Sequence, residues 1–222
     1  DGIVQDWHYW GGNDTWNSMS FVSPDYANPQ LMVDVLHRLN AKVMISIWPS
    51  FGPKTAQYRE LQAKGLLLPF DTYPAGARLY DCFSSEARDI YWKHLTRLEN
   101  MDIDGWWMDS TDPDHLDFKE SDLDQVRPIT DPATGEDFKG SWRSVRNAFP
   151  LCTVEGIYDK QRKADESKRV FILTRSYFAG QQRTGANTWS GDVSSSWDSF
   201  RKQVPICLNY TLTANPNVNT DL

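Results

Sequence analysis

The chain has 222 residues, 40% hydrophobic and 24% charged, enough apolar material for a packed core in one large domain or two small ones. A net charge of −7 and the lack of a long basic run exclude the electrostatic footprint that nucleic-acid binding requires. No apolar stretch approaches the roughly 18 residues of a membrane span, and the opening DGIVQDW is not a secretory signal.

A removed signal would leave no trace, so the compartment stays open, with a lean toward an extracytoplasmic location. Oligomeric state is not legible. Cys82, Cys152 and Cys207 are widely spaced and odd in number, which gives neither a disulfide framework nor a CxxC metal site. Ten Trp is high for this length. Most fill a core, but stiff rings with a polar edge also line pockets for sugar-like ligands.

Ile3 to Trp7 is a short β-rich run with Asp6 near its end. A Gly/Asn/Ser/Pro-rich loop follows. Asn28-Pro29 then predicts a helix start, with Asn as cap and Pro at the first helical position. Leu31, Val35, Leu36 and Leu39 recur at helical spacing and predict its buried face. Ala41 to Trp48 reads as a second, buried strand stopped by Pro49, and Thr55 to Lys64 as a helix ended by Gly65. Residues 66–83 are irregular, with a short strand near Arg78 to Tyr80 and Asp81 ordering the turn before Ser84. Ser84 opens a long helix to about Asn100. It feeds Gly105-Trp106-Trp107-Met108, a strand that ends in the carboxylates Asp109, Asp112 and Asp114.

Asp114 to Ser141 has much Asp, Pro and Gly and little periodicity, and is expected to be a long structureless loop. A helical region interrupted near Pro150 runs to Ala164. Lys168 to Arg175 is a fourth strand and Thr188 to Asp192 a short fifth. Ser195 to Thr213 is a last helix containing Pro205, and Asn219 to Leu222 could end another strand. This alternation predicts a parallel sheet with helices outside, in a single domain over 1–222. No GxGxxG or GxxxxGK[ST] follows a strand, which removes the usual nucleotide-binding open sheets. Polar residues at many strand ends (Asp6, Asp109, Arg175, Asp192) are the habit of a (β/α)8 TIM-type barrel. Only five or six of its eight βα units are countable, so an incomplete barrel is expected.

Two acids at strand ends, Asp109 and Asp192, are the parts glycoside hydrolysis needs. Phosphoryl transfer through Mg²⁺ would want a phosphate-gripping loop that is missing. Asp109 to Asp114 lacks the Gly and terminal Glu of an EF-hand, and the four His show no HExxH spacing. His37 and His94 fall within helices as surface or packing residues. Neither a metal nor a cofactor is called for.

The segment Trp106-Trp107-Met108-Asp109-Ser110-Thr111-Asp112-Pro113-Asp114 resembles the nucleophile segment of glycoside hydrolase family 31, with Ser110 and Asp112 where that branch usually carries Ala and Glu. Phe171 to Ser176 and Phe178 to Arg183 are similar to the family's next signature. Trp189-Ser190-Gly191-Asp192 is similar to its acid/base motif, and Val4-Gln5-Asp6-Trp7 to its sugar-holding strand. The resemblance implies a retaining enzyme acting on oligosaccharides, with Asp109 as nucleophile and Asp192 as a general acid protonated at rest. It also implies that Arg175 and Asp6 hold sugar hydroxyls and that Trp48, Trp107 and Trp189 wall the subsite. Arg175 could instead be a structural ion-pair partner, and Trp48 plain core. Asp112 and Asp114 read as loop-shaping acids. Trp7, directly after Asp6, could fill the space of a C6 hydroxymethyl group, which favours α-xylosidase over α-glucosidase. A transglucosylase, or an inactive sugar-binding piece that stops before the family's later His loop, stays open.

Overall fold

The computed structural model describes residues 1–112, 116–117, 124, 126–130 and 137–221. Six parallel strands form one sheet: β1 (Gly2–Gln5), β2 (Lys42–Ile47), β3 (Gly105–Met108), β4 (Ile172–Thr174), β5 (Asn187–Trp189) and β6 (Val218–Asn219). Their order across the sheet is their order in the chain, which is how a barrel winds. The sheet is open, with β1 and β6 at its edges, so it is an incomplete barrel.

The longer helices are α1 (Pro29–Arg38), α2 (Ala56–Ala63), α3 (Ser85–Glu99), α4 (Phe149–Ala164) and α5 (Trp197–Thr211). Each start but that of α4 carries a side-chain cap. Asn28, Thr55, Ser84 and Ser196 accept from Leu31, Tyr58, Ala87 and Ser199 N–H respectively, which satisfies donors the helix cannot. At α4, Pro150 occupies the first turn, where a missing N–H costs nothing, so it opens this helix. The expected interruption lies just before it, in a short 3-10 turn at Arg146–Ala148.

Register sorts the strand residues onto two faces. Ile45, Trp106 and Ile172 are aligned, as are Ile47, Met108 and Thr174, and all six are buried. This face packs on the helices: the Trp106 indole N–H donates to Gln161 Oε1 of α4 at 2.8 Å. Ser46, Trp107, Leu173 and Asn187 align on the other, concave face. The ladder runs one residue further, since Asp109 N donates to Ile47 O at 3.1 Å and Arg175 N to Met108 O at 3.3 Å. Alternation therefore puts Trp48, Asp109, Arg175 and Trp189 in one row across four adjacent strands, above Ser46 to Asn187 at the C-terminal rim.

Three expectations are corrected. On α1, Leu31, Val35 and Leu39 are exposed while Val33 is buried and Leu36 half-buried, so the helix is rotated from the face its apolar stripe implied. It borders the sheet edge, where Ile3 and Val4 of β1 are exposed as well, and no described element covers that side. Second, part of 114–141 is paired. Leu116–Asp117 pairs antiparallel with Asp71–Thr72, and Val126–Thr130 with Asp137–Ser141. Short strands containing Pro128 and Gly140 carry none of the alternation that announces a strand. Third, the main strands are shorter than read: β4 begins at Ile172 and β5 ends at Trp189.

Candidate active site

The half-buried Asp109 is the hub of the rim. Its Oδ1 accepts from its neighbour's backbone, Ser110 N, at 2.6 Å, and Ser110 pays for that turn with a left-handed φ of 49°. From β4, Arg175 reaches three carboxylates. Nη1 donates to Asp109 Oδ1 at 3.5 Å and to Asp192 Oδ2 at 3.4 Å, and Nε stands 3.4 Å from Asp112 Oδ1. Asp109, Asp112 and Arg175 side chains are 18%, 17% and 14% exposed, whereas Asp192 is 82% exposed. The Asp109 and Asp192 carboxylates are thus brought onto one nitrogen, within reach of each other across the rim.

Trp107 and Trp189 meet edge to face at 5.8 Å between ring centroids, forming an aromatic corner beside these acids. Trp48 is 7% exposed, packed on Trp16 at 4.8 Å and on the exposed Tyr73 at 6.1 Å. It is thus largely core, with only a small edge left to face a ligand. Asp6 and Trp7 stand one residue and two past β1. Asp6 is exposed and accepts from Trp7 N at 2.6 Å. The half-buried Trp7 touches Trp16 at 5.3 Å, so β1 connects to the rim through Trp7, Trp16 and Trp48 rather than by a direct polar contact. The structure brings Asp109, Arg175, Asp192, Trp107 and Trp189 together and leaves Asp6 at the side. Among the described residues no group of His, Cys, Asp and Glu is arranged to hold a metal ion, and no helix is long and apolar enough to cross a membrane.

The sequence profile of the glycosyl hydrolases family 31 TIM-barrel domain matches residues 1–222. The chain belongs to glycoside hydrolase family 31. It is 36% identical to the alpha-xylosidase of Saccharolobus solfataricus, with 100% of this chain and 28% of that protein covered. The crystal structure of the family 31 alpha-xylosidase from Xanthomonas citri superposes with a TM-score of 0.84 at 37% identity, over 100% of this chain and 24% of that one. An alpha-glucosidase of Saccharolobus solfataricus is 23% identical, over 100% of this chain and 34% of that protein. The chain thus spans roughly a quarter to a third of the relatives it matches.

In this family 31 barrel Asp109 is strongly perturbed by its surroundings. Burial pushes its carboxyl up to about 6, Ser110 N–H and Arg175 pull it down, and Asp192 adds a small upward push. At the next strand end, burial and the charge of Asp192 raise Asp221, with Arg175 opposing. Two parts of the arrangement were hidden in the sequence. Asp112, read as a loop-shaping acid, engages Arg175. Gly191, with φ +83°, lies so close that an added Cβ would stand 3.4 Å from Arg175 Nε. Both depend on a partner from another strand, which spacing cannot show. By contrast, His94 bonds Glu60 at 2.8 Å and His37 bonds Asp104 at 2.8 Å, as packing and surface residues do. Asp81 accepts from Phe83 N at 3.3 Å and orders its turn.

The raised carboxyl also predicts a stability effect. A carboxylate whose folded pKa lies above its ordinary value favours the fold at low pH, and that contribution is lost as pH rises from about 4 through about 6. Asp109→Asn removes the buried charge. It is expected to stabilise the protein by about 1–3 kcal/mol at pH 8 and by far less near pH 4. Thermal unfolding of both forms at the two pH values measures this. An equal or opposite shift at pH 8 would contradict a strained, desolvated Asp109.

Proposed function

We propose that the protein is a retaining α-glycoside hydrolase that removes terminal α-linked xylose. Asp109 attacks the anomeric carbon as Asp192 gives its proton to the departing oxygen, so the glycosidic C–O bond breaks and a glycosyl ester forms. Asp192, now a carboxylate, takes a proton from water, and that water displaces Asp109 with net retention. The carrying observation is one Arg175 nitrogen shared by the two carboxylates from adjacent strands. Arg175 holds a sugar hydroxyl with its remaining donors, Asp6 accepts from hydroxyls at the far side, and Trp48, Trp107 and Trp189 enclose the ring.

Xylose is favoured over glucose by the family 31 xylosidases this chain resembles and by Trp7. Its half-buried ring follows Asp6 directly and would fill the space of a C6 hydroxymethyl group. The full-length protein is expected to hydrolyse 4-nitrophenyl α-xyloside with a kcat/KM at least about tenfold above that for the α-glucoside, a gap of the size a steric pocket can supply. Trp7→Ala should narrow that ratio, mainly by gaining glucoside activity. A native preference for glucoside would reject the xylosidase reading, and an unchanged ratio in Trp7→Ala would reject the role of that ring.

A further inference from the structure

We infer that Asp112 is the positioning residue for Arg175, engaging Nε so that Nη1 spans Asp109 and Asp192, and offsetting the guanidinium charge at the nucleophile. The inference rests on the assignment of Asp109 and Asp192 proposed above. Asp112 and Arg175 are both mostly buried and stand 3.4 Å apart, while Asp192 is largely in solvent. A contact to exposed Asp192 is screened, so it cannot hold the fork; a contact between two desolvated groups can. Burial opposes the charge of Arg175, and its carboxylates outweigh that, Asp112 most, then Asp109 and Asp192.

Geometry limits the alternatives. Nε carries the ion-pair contact to Asp112 at 3.4 Å, while Nη1 carries the contacts to Asp109 and Asp192, so the three carboxylates meet different edges of one guanidinium. Gly191 packs against the same guanidinium, where an added Cβ would be in van der Waals contact with Nε at 3.4 Å, and its φ of +83° favours Gly. Asp112 follows the strand that carries Asp109, so the turn at Ser110 delivers nucleophile and positioning acid to one cation. Among the described residues, the charged groups acting on Asp109 are Arg175 after β4 and Asp192 after β5; Asp112 meets Arg175, and Asp221 after β6 feels Asp192 and Arg175. At the neighbouring strand end, Trp48 follows β2.

Removing the charge of Asp112 exposes Asp109 to an uncompensated Arg175, which favours its ionised form. Loss of the ion pair at Nε loosens the hold on the guanidinium. In the full-length protein, Asp112→Asn is therefore expected to lower kcat/KM on 4-nitrophenyl α-xyloside by about 10–100-fold, and to move the acid limb of its pH profile down by roughly half a unit to one unit. Asp112→Glu should restore most of the rate. On an Arg175→Lys background, Asp112→Asn should add little, because both changes break one unit. Asp112→Ser also removes the charge and carries the same readouts should the Asn variant not fold. An unmoved acid limb, or losses that add in the double variant, would overturn the inference while Asp109→Asn stays inactive. An active Asp109→Asn would instead overturn the assignment beneath it.

Discussion

Asp109→Asn is expected to lose at least about 10⁴-fold in kcat on xyloside substrates in the full-length protein, with the fold intact or strengthened. A nucleophile that forms a covalent ester has no substitute in the site, and losses of several orders of magnitude follow its removal. Only the ionised carboxylate attacks. Because burial raises Asp109 to about 6, kcat/KM of the native enzyme should climb through about pH 6 before levelling. The same residue should be labelled by 5-fluoro-α-xylosyl fluoride, whose slow turnover lets the ester accumulate for detection by peptide mass. In Asp109→Ala, added azide can enter from the face the carboxylate left and restore turnover, giving the β-xylosyl azide. A label on any other residue, or near-native turnover by Asp109→Asn, would reject this assignment.

That one position gains stability and loses function on the same substitution is a physical statement about the rim. A carboxylate made a good nucleophile by partial desolvation is an unfavourable buried charge whenever substrate is absent. Arg175 offsets part of the cost, and Ser110 adds a backbone donor at the expense of a left-handed turn. These devices converge on Asp109 and leave Asp192 in solvent. The two Trp read beside the acids of the Gly105–Met108 strand end anticipated a low-dielectric wall there, and Asp109 is the acid whose carboxyl burial raises.

How far the sequence carried the reading depends on the range of each contact. Trp48, Asp109, Arg175 and Trp189 were legible because each closes or follows a β-rich run, and strand ends are where a parallel barrel displays its chemistry. That they form one register row was not legible, since register is a property of pairs of strands. The link from Asp112 to Arg175 and the close approach of Gly191 were hidden for the same reason. On α1, helical period was read correctly, but which face is buried depends on what lies beside the sheet edge. At Leu116–Asp117 and in the hairpin from Val126, pairing between short polar strands overrides a sequence that looks like loop.

For Asp192, the expected result is a loss that depends on the leaving group. Asp192→Ala should reduce turnover of a xylosyl-sugar bond by about 10²–10⁴-fold, the usual worth of a positioned general acid. It should reduce cleavage of α-xylosyl fluoride or a 2,4-dinitrophenyl xyloside by much less, because those groups depart without a proton. With such activated substrates the second step becomes limiting, as no base remains to activate water. Azide needs no base, so it should restore the rate and yield the α-xylosyl azide, the opposite anomer from that of Asp109→Ala. The opposition follows from geometry: in one variant azide replaces the nucleophile, in the other it replaces water attacking the ester. Arg175 joins the two acids through a single nitrogen, so each substitution also releases one of its partners. A Lys at 175 in each background separates that effect from the chemistry. Equal losses for activated and unactivated leaving groups, or the same azide anomer from both variants, would refute the division of roles between Asp109 and Asp192.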